Sequence, residues 1–279
     1  MTERAFRFGV VAGVAHSGAE WVGVARKAEG LGYDALLVPD TLFTLAPFAA
    51  LASAATATTA LRVGTYVLSA PNRAPAQVAW EARSLQTLSD GRLELGVGGG
   101  RPSGEADAVA LGGEFGTPGE RLRRVAETIR AVRELPAPPP VLVAASKPGM
   151  LRLAAEQADI VTFGLPPGTP FGELARAAAR FRELAGDRAD AVELQFNVAA
   201  VAGSVDALPY WVSRQVGGDA RAMAAAGGAS FLIGDPDRIA EELLRRRAEA
   251  GFSYVAINAM FMEEFEPVVA RLRAVARAG

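Results

Sequence analysis

The sequence predicts an α/β fold, a single (β/α)8 TIM barrel that spans residues 1–279. Short apolar segments alternate with longer segments of helical periodicity from one end of the chain to the other. Eight short segments occur, and nearly all are apolar along their whole length, as parallel strands buried on both faces are. Eight such units within about 250 residues are the size and rhythm of this barrel.

The first half contains four predicted strands, over residues 6–11, 35–39, 62–69 and 93–97. In the first predicted helix, Trp21, Ala25 and Ala28 recur at helical spacing, and Gly32 ends the segment. Pro47 fits the first turn of an Ala-rich helix, because a proline loses no helical hydrogen bond there. The predicted helices of this half cover residues 17–31, 47–58, 76–88 and 118–135.

The second half repeats the alternation after three consecutive prolines at 138–140. Its predicted strands cover residues 141–145, 160–163, 194–201 and 254–258. Asp235 is an N-cap residue followed by Pro236 at the first helical position, and Gly251 ends that helix. The predicted helices cover residues 150–157, 171–185, 211–226, 236–250 and 265–277.

A doubly wound open sheet is the main alternative fold. Its first turn would carry the phosphate-binding pattern G-x-G-x-x-G, and residues 11–16 read V-A-G-V-A-H instead. The three prolines fit a domain boundary, but the alternation continues across them. The barrel is therefore the predicted architecture.

Composition excludes several classes of function. The chain has no cysteine and one histidine, so disulfides, thiol nucleophiles, Cys-based metal centres and multi-histidine metal sites are excluded. Lys and Arg total 29 against 31 Asp and Glu, and no basic block occurs, which argues against nucleic-acid binding. We expect no metal ion and no nucleic-acid partner.

Two segments imitate membrane signals. Residues 8–15 are apolar after Arg4 and Arg7, but the run is short for a signal peptide and no A-x-A site precedes His16. Residues 41–61 are uncharged, yet they are mostly Ala, Thr and Ser with Pro47 inside, which favours a buried helix. We expect a cytoplasmic protein that does not enter a membrane.

The site of such a barrel lies at the carboxyl ends of its strands. Asp40 stands there as a candidate acid, or as the cap of the next helix. His16 is the only side chain whose unperturbed pKa lies near neutrality; it is a candidate for proton transfer or a solvated loop residue. The paired carboxylates of a glycosidase are missing from these strand ends, while a site for an organic cofactor stays open.

Two backbone features at the same edge suggest a ligand. Gly98 and Gly99, followed by a third glycine, leave backbone N–H groups free to approach a flat ligand, or form only a flexible turn. Ser146 and Lys147 begin a helix, where free N–H groups and the helix dipole favour an anion. A phosphate group or an ordinary cap fits that segment equally.

Three stretches together resemble the luciferase-like monooxygenase superfamily: residues 64–71 (GTYVLSAP), 73–76 (RAPA) and 85–100 (LQTLSDGRLELGVGGG). Further agreement follows in order along the chain, at residues 119–121, 151–161, 231–236 and 251–255. The resemblance spans nearly the whole chain and is closest to the branch that uses the deazaflavin coenzyme F420.

The resemblance implies a cofactor bound at the mouth of the barrel. It places a non-prolyl cis peptide at Tyr66–Val67, behind the central ring of the cofactor. Asp40 matches an acid that contacts the deazaflavin, and Ser69 matches a polar contact to the ring. The loop that holds the phosphate-bearing tail corresponds to Ser146, Lys147, Gly149 and Met150.

Departures from the family pattern limit what is carried over. A catalytic His of a related sugar-phosphate dehydrogenase corresponds to Thr41 here, and its catalytic Glu corresponds to Arg101. We therefore expect Thr41 and Arg101 to contact a different substrate. The tail loop also contains less glycine than is usual, which points to weaker or altered tail binding.

These observations predict an oxidoreductase that transfers hydride between F420 and a small organic substrate, with His16 or a group held by Asp40 handling the proton. An FMN-dependent monooxygenase is the first alternative. A barrel that has lost cofactor binding and catalysis is the second. The Ala-rich helices also point to a homodimer interface.

Overall fold

A computed structural model describes residues 4–278, with side chains described as far as Val275. The strands, β1 to β11 in chain order, are Arg7–Val11, Ala35–Val38, Arg62–Thr65, Leu68–Ser69, Leu93–Gly98, Val141–Ala145, Ile160–Phe163, Glu193–Val198, Ala200–Ala202, Phe231–Ile233 and Phe252–Asn258. The helices, α1 to α11, are Gly18–Gly30, Pro47–Ala57, Pro75–Leu88, Glu105–Ala110, Pro118–Arg133, Pro148–Gln157, Phe171–Ala185, Trp211–Val216, Ala220–Ala225, Pro236–Ala250 and Met262–Ala278.

Parallel strands close into a barrel, which confirms the predicted fold. Around the barrel the strands follow the order β1, β2, β3, β5, β6, β7, β8 and β11, and β11 pairs again with β1. β4 lies beyond β3 and pairs with the carboxyl end of β5. Each barrel strand corresponds to one of the eight strands that the sequence predicts.

Local sequence sets the helix starts. Ser17 caps α1 by accepting the Glu20 N–H, and Asp235 caps α10 in the same way from Arg238. Thr117 and Glu120 form a reciprocal capping box at the start of α5. Each of these contacts satisfies an N–H group that the first helical turn leaves without a partner.

The barrel interior contains a small apolar layer separate from the larger core under the helices. Leu37, Leu142, Ile160 and Tyr254 pack together there with Ala35 and Ala256. The helices cover the outer faces of the strands, so both faces are buried. This arrangement explains why the barrel strands are apolar throughout rather than alternating.

A buried ionic layer closes the amino ends of the strands. Glu94 accepts hydrogen bonds from Arg7, from Arg62 at 2.7 Å and from the Tyr254 hydroxyl at 3.3 Å. Arg7 also pairs with Glu193 at 2.7 Å. Burial raises the pKa of Glu193, although Arg7 acts in the opposite direction. In a TIM barrel this face supports stability, whereas the opposite face carries the chemistry.

Three predicted elements are divided in the structure. The predicted strand 62–69 is interrupted at Tyr66 and Val67, between β3 and β4. The predicted helix 211–226 is two short helices, because Gly217 ends α8 in the left-handed conformation and Asp219 caps α9 anew. The predicted strand 194–201 ends at Val198 as a barrel strand, and Ala200–Ala202 pairs with Phe231–Ile233 in a separate two-stranded sheet. The sequence analysis assigned no strand to β10 and no helix to α4.

The uncharged segment 41–61 contributes α2, a helix of 11 residues. Across residues 4–278, every helix is too short or too polar to span a bilayer.

Candidate active site

A cavity of about 520 Å³ opens at the carboxyl ends of β2, β3, β5, β6 and β7. Its volume lies within the range of small-molecule sites. The structure brings ten of the predicted site residues together in its lining: Asp40, Thr41, Tyr66, Val67, Ser69, Gly98, Gly99, Arg101, Ser146 and Lys147. His16, Gly149 and Met150 lie outside the lining.

The floor of the cavity is bare backbone at Gly98. A Cβ atom there would lie 3.0 Å from the Val67 side chain and 3.3 Å from the Ala144 Cβ, tighter than ordinary contact. Gly99 faces the end of the Met150 side chain, which would lie 3.3 Å from its Cβ. Both glycines therefore line the cavity with backbone atoms only.

The peptide bond between Tyr66 and Val67 is cis, as the family resemblance implied. The Tyr66 hydroxyl donates to Gln195 Oε1 at 3.0 Å and lies 3.2 Å from Thr162 Oγ1. Burial raises the pKa of Tyr66, although both hydrogen bonds act in the opposite direction. These contacts hold the phenol inside the barrel, so Tyr66 lines the cavity without offering its hydroxyl to a ligand.

Asp40 is fixed at the rim by two partners. Its carboxylate accepts the Ser69 backbone N–H at 3.0 Å and an Arg73 N–H at 2.9 Å. Arg73 in turn lies 3.8 Å from a Glu81 carboxylate oxygen. Asp40 therefore ties the loop after β2 to the loop after β4.

The Ser69 hydroxyl is a buried polar group without a hydrogen-bond partner within residues 4–278. Buried hydroxyls are nearly always satisfied in folded proteins, so an unpaired one at a cavity calls for a ligand or water partner. Its Oγ would lie 2.8 Å from a Cβ atom at Gly100. Ser69 thus fits the ring contact that the resemblance assigned to it.

The side of the cavity near α6 is basic. Lys147 precedes the helix without a side-chain cap, and Pro148, the first helical residue, has no N–H. The free N–H groups of the first turn are therefore those of Gly149 and Met150, which keep their capacity to bind an anion. Ser146 and Lys147 are exposed to the cavity. Arg121 adds a second cation; its Cβ would lie 3.8 Å from a Cβ at Gly99, and its guanidinium stacks on Phe115.

Arg121 was missed as a site residue. The signal that pointed to it was its place two residues after Gly119 in the matching segment 119–121, in the first turns of the helix beside the glycine-rich loop.

Gly149 and Met150 lie outside the cavity lining, and their packing sets the position of the α6 start. A Cβ atom at Gly149 would lie 3.0 Å from the Leu122 side chain, so this glycine lets α6 approach α5 closely. Met150 is half-buried beneath Gly99.

His16 is exposed in the loop after β1. Its backbone N–H donates to the Glu20 carboxylate at 2.7 Å, at the start of α1. The structure does not bring its imidazole into the cavity lining, and its part in proton transfer stays a prediction.

Asn197 is a polar residue that was not predicted as a site residue, and it lies outside the cavity lining. It lies in β8, on the same face as Gln195, because side chains two residues apart share a face of a strand. Gln195 bonds Tyr66 inside the barrel, whereas Asn197, closer to the mouth, is exposed. A polar residue repeated at a period of two within an apolar strand was the available signal.

Residues 6–137, a little under half of the chain, match the sequence model of the luciferase-like monooxygenase family. This match confirms the family resemblance over residues 6–137 and identifies that segment as luciferase-like. A shorter match joins 95 residues, at 36% identity, to the oxygenase component of the flavin-dependent trigonelline monooxygenase of Acinetobacter baylyi. That match covers 33% of this chain and 26% of the relative, so the chain spans about a quarter of that protein's length.

Solved structures share the whole fold at low sequence identity. An F420-dependent secondary alcohol dehydrogenase in complex with an F420–acetone adduct is 16% identical, with a TM-score of 0.73 over 95% of this chain and 99% of that one. EDTA monooxygenase from Chelativorans sp. BNC1 is 14% identical, with a TM-score of 0.73 over 96% and 94%. The coenzyme F420-dependent tetrahydromethanopterin reductase of Methanopyrus kandleri is 16% identical, with a TM-score of 0.72 over 96% and 98%.

Proposed function

We propose that this luciferase-like protein is an oxidoreductase that binds coenzyme F420 in the mouth cavity and uses it to transfer a hydride to or from a small organic substrate. The observation that carries the proposal is the combination of a bare glycine floor with an uncapped helix start on the basic side of one cavity. When bound, a deazaflavin supplies the hydride chemistry, and the protein supplies position and electrostatics.

The residues of the floor hold a planar ring by shape. Gly98 and Gly99 expose backbone rather than side chains, opposite the Val67 side chain. The Ser69 hydroxyl at the rim has a hydrogen bond to give, since nothing within residues 4–278 takes it. Asp40 holds the Ser69 backbone and thereby the direction of that hydroxyl.

The basic side suits a phosphate-bearing tail. The first N–H groups of α6 and the Lys147 ammonium present positive charge to the cavity. Arg121 has one N–H bonded to the Gly116 carbonyl and keeps its other donors for an anion. If the cofactor tail binds on this side, the rim of the cavity near Asp40 is available to the cofactor ring and the substrate.

The proton must pass through a group near the substrate. His16 and a group held by Asp40 remain our two candidates. Asp40 accepts the Ser69 backbone N–H and an Arg73 N–H, and the Arg73 guanidinium does not deprotonate in proteins. The Ser69 hydroxyl, which Asp40 does not bond directly, has an unshared proton. Replacing His16 by Gln with no change in the pH profile of activity would leave the Asp40 side as the remaining route.

Calorimetric titration of the purified protein with F420 and, separately, with FMN tests the proposal. We expect F420 to bind more tightly, and Lys147→Gln or Arg121→Gln to weaken it about tenfold through the lost charge-assisted contact. Arg83→Gln is the matched control, because Arg83 is exposed on α3 outside the cavity. A folded protein that binds neither cofactor would instead be a barrel without catalysis.

An FMN-dependent monooxygenase is the second candidate. The 36% identity over 95 residues to a flavin-dependent monooxygenase component favours it. The floor accepts either ring system, because both are planar and tricyclic. Tighter binding of FMN, together with oxygen consumption when reduced FMN is supplied, would establish this candidate in place of the first.

A further inference from the structure

The charges that line the cavity are unbalanced once their contacts are counted. Two carboxylates line it. Asp40 pairs with Arg73, whereas Asp107, within residues 4–278, accepts only the neutral Leu42 N–H at 3.3 Å and keeps its negative charge. Three cations line the same cavity: Arg101, Arg121 and Lys147. The site is therefore locally positive in a chain whose net charge is −2.

Arg101 is the cation whose position has no explanation in the fold. Its guanidinium has no hydrogen-bond or ion-pair partner in the part of the chain that the structure describes. Arg121, by contrast, stacks on Phe115 and bonds the Gly116 carbonyl. Lys147 lies at the start of α6, where the proposed cofactor tail would use it. Arg101 lies in a different loop, between the glycine floor and α4 in the chain.

The loops around the mouth of the same cavity expose apolar side chains. Phe43 is 85% exposed and Leu42 is 54% exposed, directly after the cavity residue Thr41. The Leu42–Asp107 hydrogen bond ties this loop to α4, so the apolar residues and Arg101 border the same opening. Nine of the thirteen exposed large apolar side chains within the described residues lie in segments that follow barrel strands: Val14, Leu42, Phe43, Leu45, Val109, Leu111, Tyr210, Trp211 and Met260.

Exposed apolar residues concentrated at one opening mark a surface that a ligand or partner covers. Here a free guanidinium borders the same opening. A planar guanidinium with several donors binds a carboxylate through two parallel hydrogen bonds. The surface therefore has one charged contact and one apolar contact to offer a single molecule.

We propose that the substrate is an apolar organic acid, with its carboxylate bound by Arg101 and its apolar body covered by Leu42 and Phe43. That this acid is the substrate of a hydride transfer rests on the proposed function, whereas its binding at Arg101 does not. The cofactor tail is also negatively charged, but it does not compete with the substrate carboxylate for Arg101. Lys147, Arg121 and the start of α6 are available to the tail.

The test uses three probes and isothermal titration calorimetry on the full chain. Octanoate carries both the charge and the apolar tail, octanamide replaces the carboxylate by a neutral group, and acetate lacks the tail. We expect octanoate to bind at least tenfold more tightly than either of the others. Arg101→Gln should remove the preference for octanoate over octanamide, and Arg101→Lys should keep part of it, since it retains the charge without the fork.

Three controls separate the parts of the proposal. Arg83→Gln removes an exposed arginine outside the cavity and should leave octanoate binding unchanged. Phe43→Ser should weaken octanoate several-fold and leave acetate unchanged. Circular dichroism of each variant shows that the fold is intact, which we expect because Arg101 and Phe43 are exposed.

Equal affinity for octanoate and octanamide would overturn the inference. So would a result in which Lys147→Gln abolishes octanoate binding and Arg101→Gln leaves it intact. The two proposals fail separately. If F420 and FMN bind but octanoate does not, the substrate inference is wrong and the proposed function stands. If octanoate binds through Arg101 but neither cofactor binds, the proposed function is wrong and the anion site stands.

Discussion

The ion pair between Asp40 and Arg73 should contribute more to stability than any surface ion pair in the chain. The two groups are 2.9 Å apart, and their side chains are 5% and 15% exposed. Removing one member of a buried pair costs about 3–5 kcal/mol, because the other charge stays buried. When Asp40 is replaced, the Glu81 carboxylate, 3.8 Å from Arg73, still balances part of the positive charge of Arg73. We therefore expect about 3 kcal/mol for Asp40→Asn and about 4 kcal/mol for Arg73→Met.

Asn at position 40 retains an acceptor for the Ser69 N–H, so Asp40→Asn isolates the loss of charge. At about 2–4 °C per kcal/mol for a chain of roughly this size, the melting temperature should fall by about 6–12 °C. Thermal and urea unfolding of both single variants and of the double variant form a cycle. We expect the double variant to lose about 2 kcal/mol less than the sum of the two single losses, since neither charge is then left alone.

Losses that add to within about 0.5 kcal/mol would refute this reasoning, because they would show that the two groups do not interact in the folded state. Glu249→Gln is a suitable comparison. Glu249 and its partner Arg245 are both about half exposed, and surface pairs are worth about 0–1 kcal/mol.

Three further outcomes are expected. In urea unfolding, Gly96→Ala should destabilise the fold by more than about 4 kcal/mol, because its Cβ would lie 2.1 Å from the Thr65 carbonyl oxygen. Its control is Gly23→Ala, which lies in open space on α1 and should stabilise the fold by about 0.5–1 kcal/mol. Burial raises the pKa of Glu193, so the folded state binds this proton more tightly than the unfolded chain, and stability falls as pH rises through the raised pKa. The melting temperature should therefore fall less steeply from pH 4 to 8 in Glu193→Gln than in the native protein. An equal fall in both proteins would contradict the assignment. Trp80 is 64% exposed on α3, beside the uncharged α2, and should lie in the predicted homodimer interface. Light scattering should show a native dimer and a monomeric Trp80→Glu variant. A monomeric native chain would disprove the predicted interface.

The barrel strands were predictable from the sequence because burial on both faces leaves uninterrupted apolar runs. Two strands, β6 and β7, have the predicted bounds, 141–145 and 160–163. The small sheet outside the barrel was not predictable, since β9 and β10 are three residues each and their pairing joins segments about thirty residues apart. The break in the predicted helix 211–226 did have a signal, Gly217 followed by Gly218, which the apolar periodicity outweighed.

The cavity residues were predictable for a topological reason, because the carboxyl ends of parallel strands meet at one edge. Their partners were not. The pairing of Asp40 with Arg73 joins residues 33 positions apart, and it depends on how two loops fold over the rim. Arg121 enters the site from α5, after a loop that contains the unpredicted α4. Contacts of this kind are fixed by tertiary packing, which periodicity and turn chemistry do not report.

The glycines from 96 to 100 show how fold and site requirements separate within one motif. Gly96 belongs to the fold, because the Thr65 carbonyl occupies the place of its Cβ. Gly100 belongs to the turn, because its φ is +76°. Neither reason applies to Gly99, whose Cβ would meet the flexible end of Met150 at 3.3 Å and the Arg121 Cβ at an ordinary 3.8 Å. Because both contacts can be accommodated, the fold alone does not demand glycine at position 99, and the proposed cofactor would account for the bare backbone there.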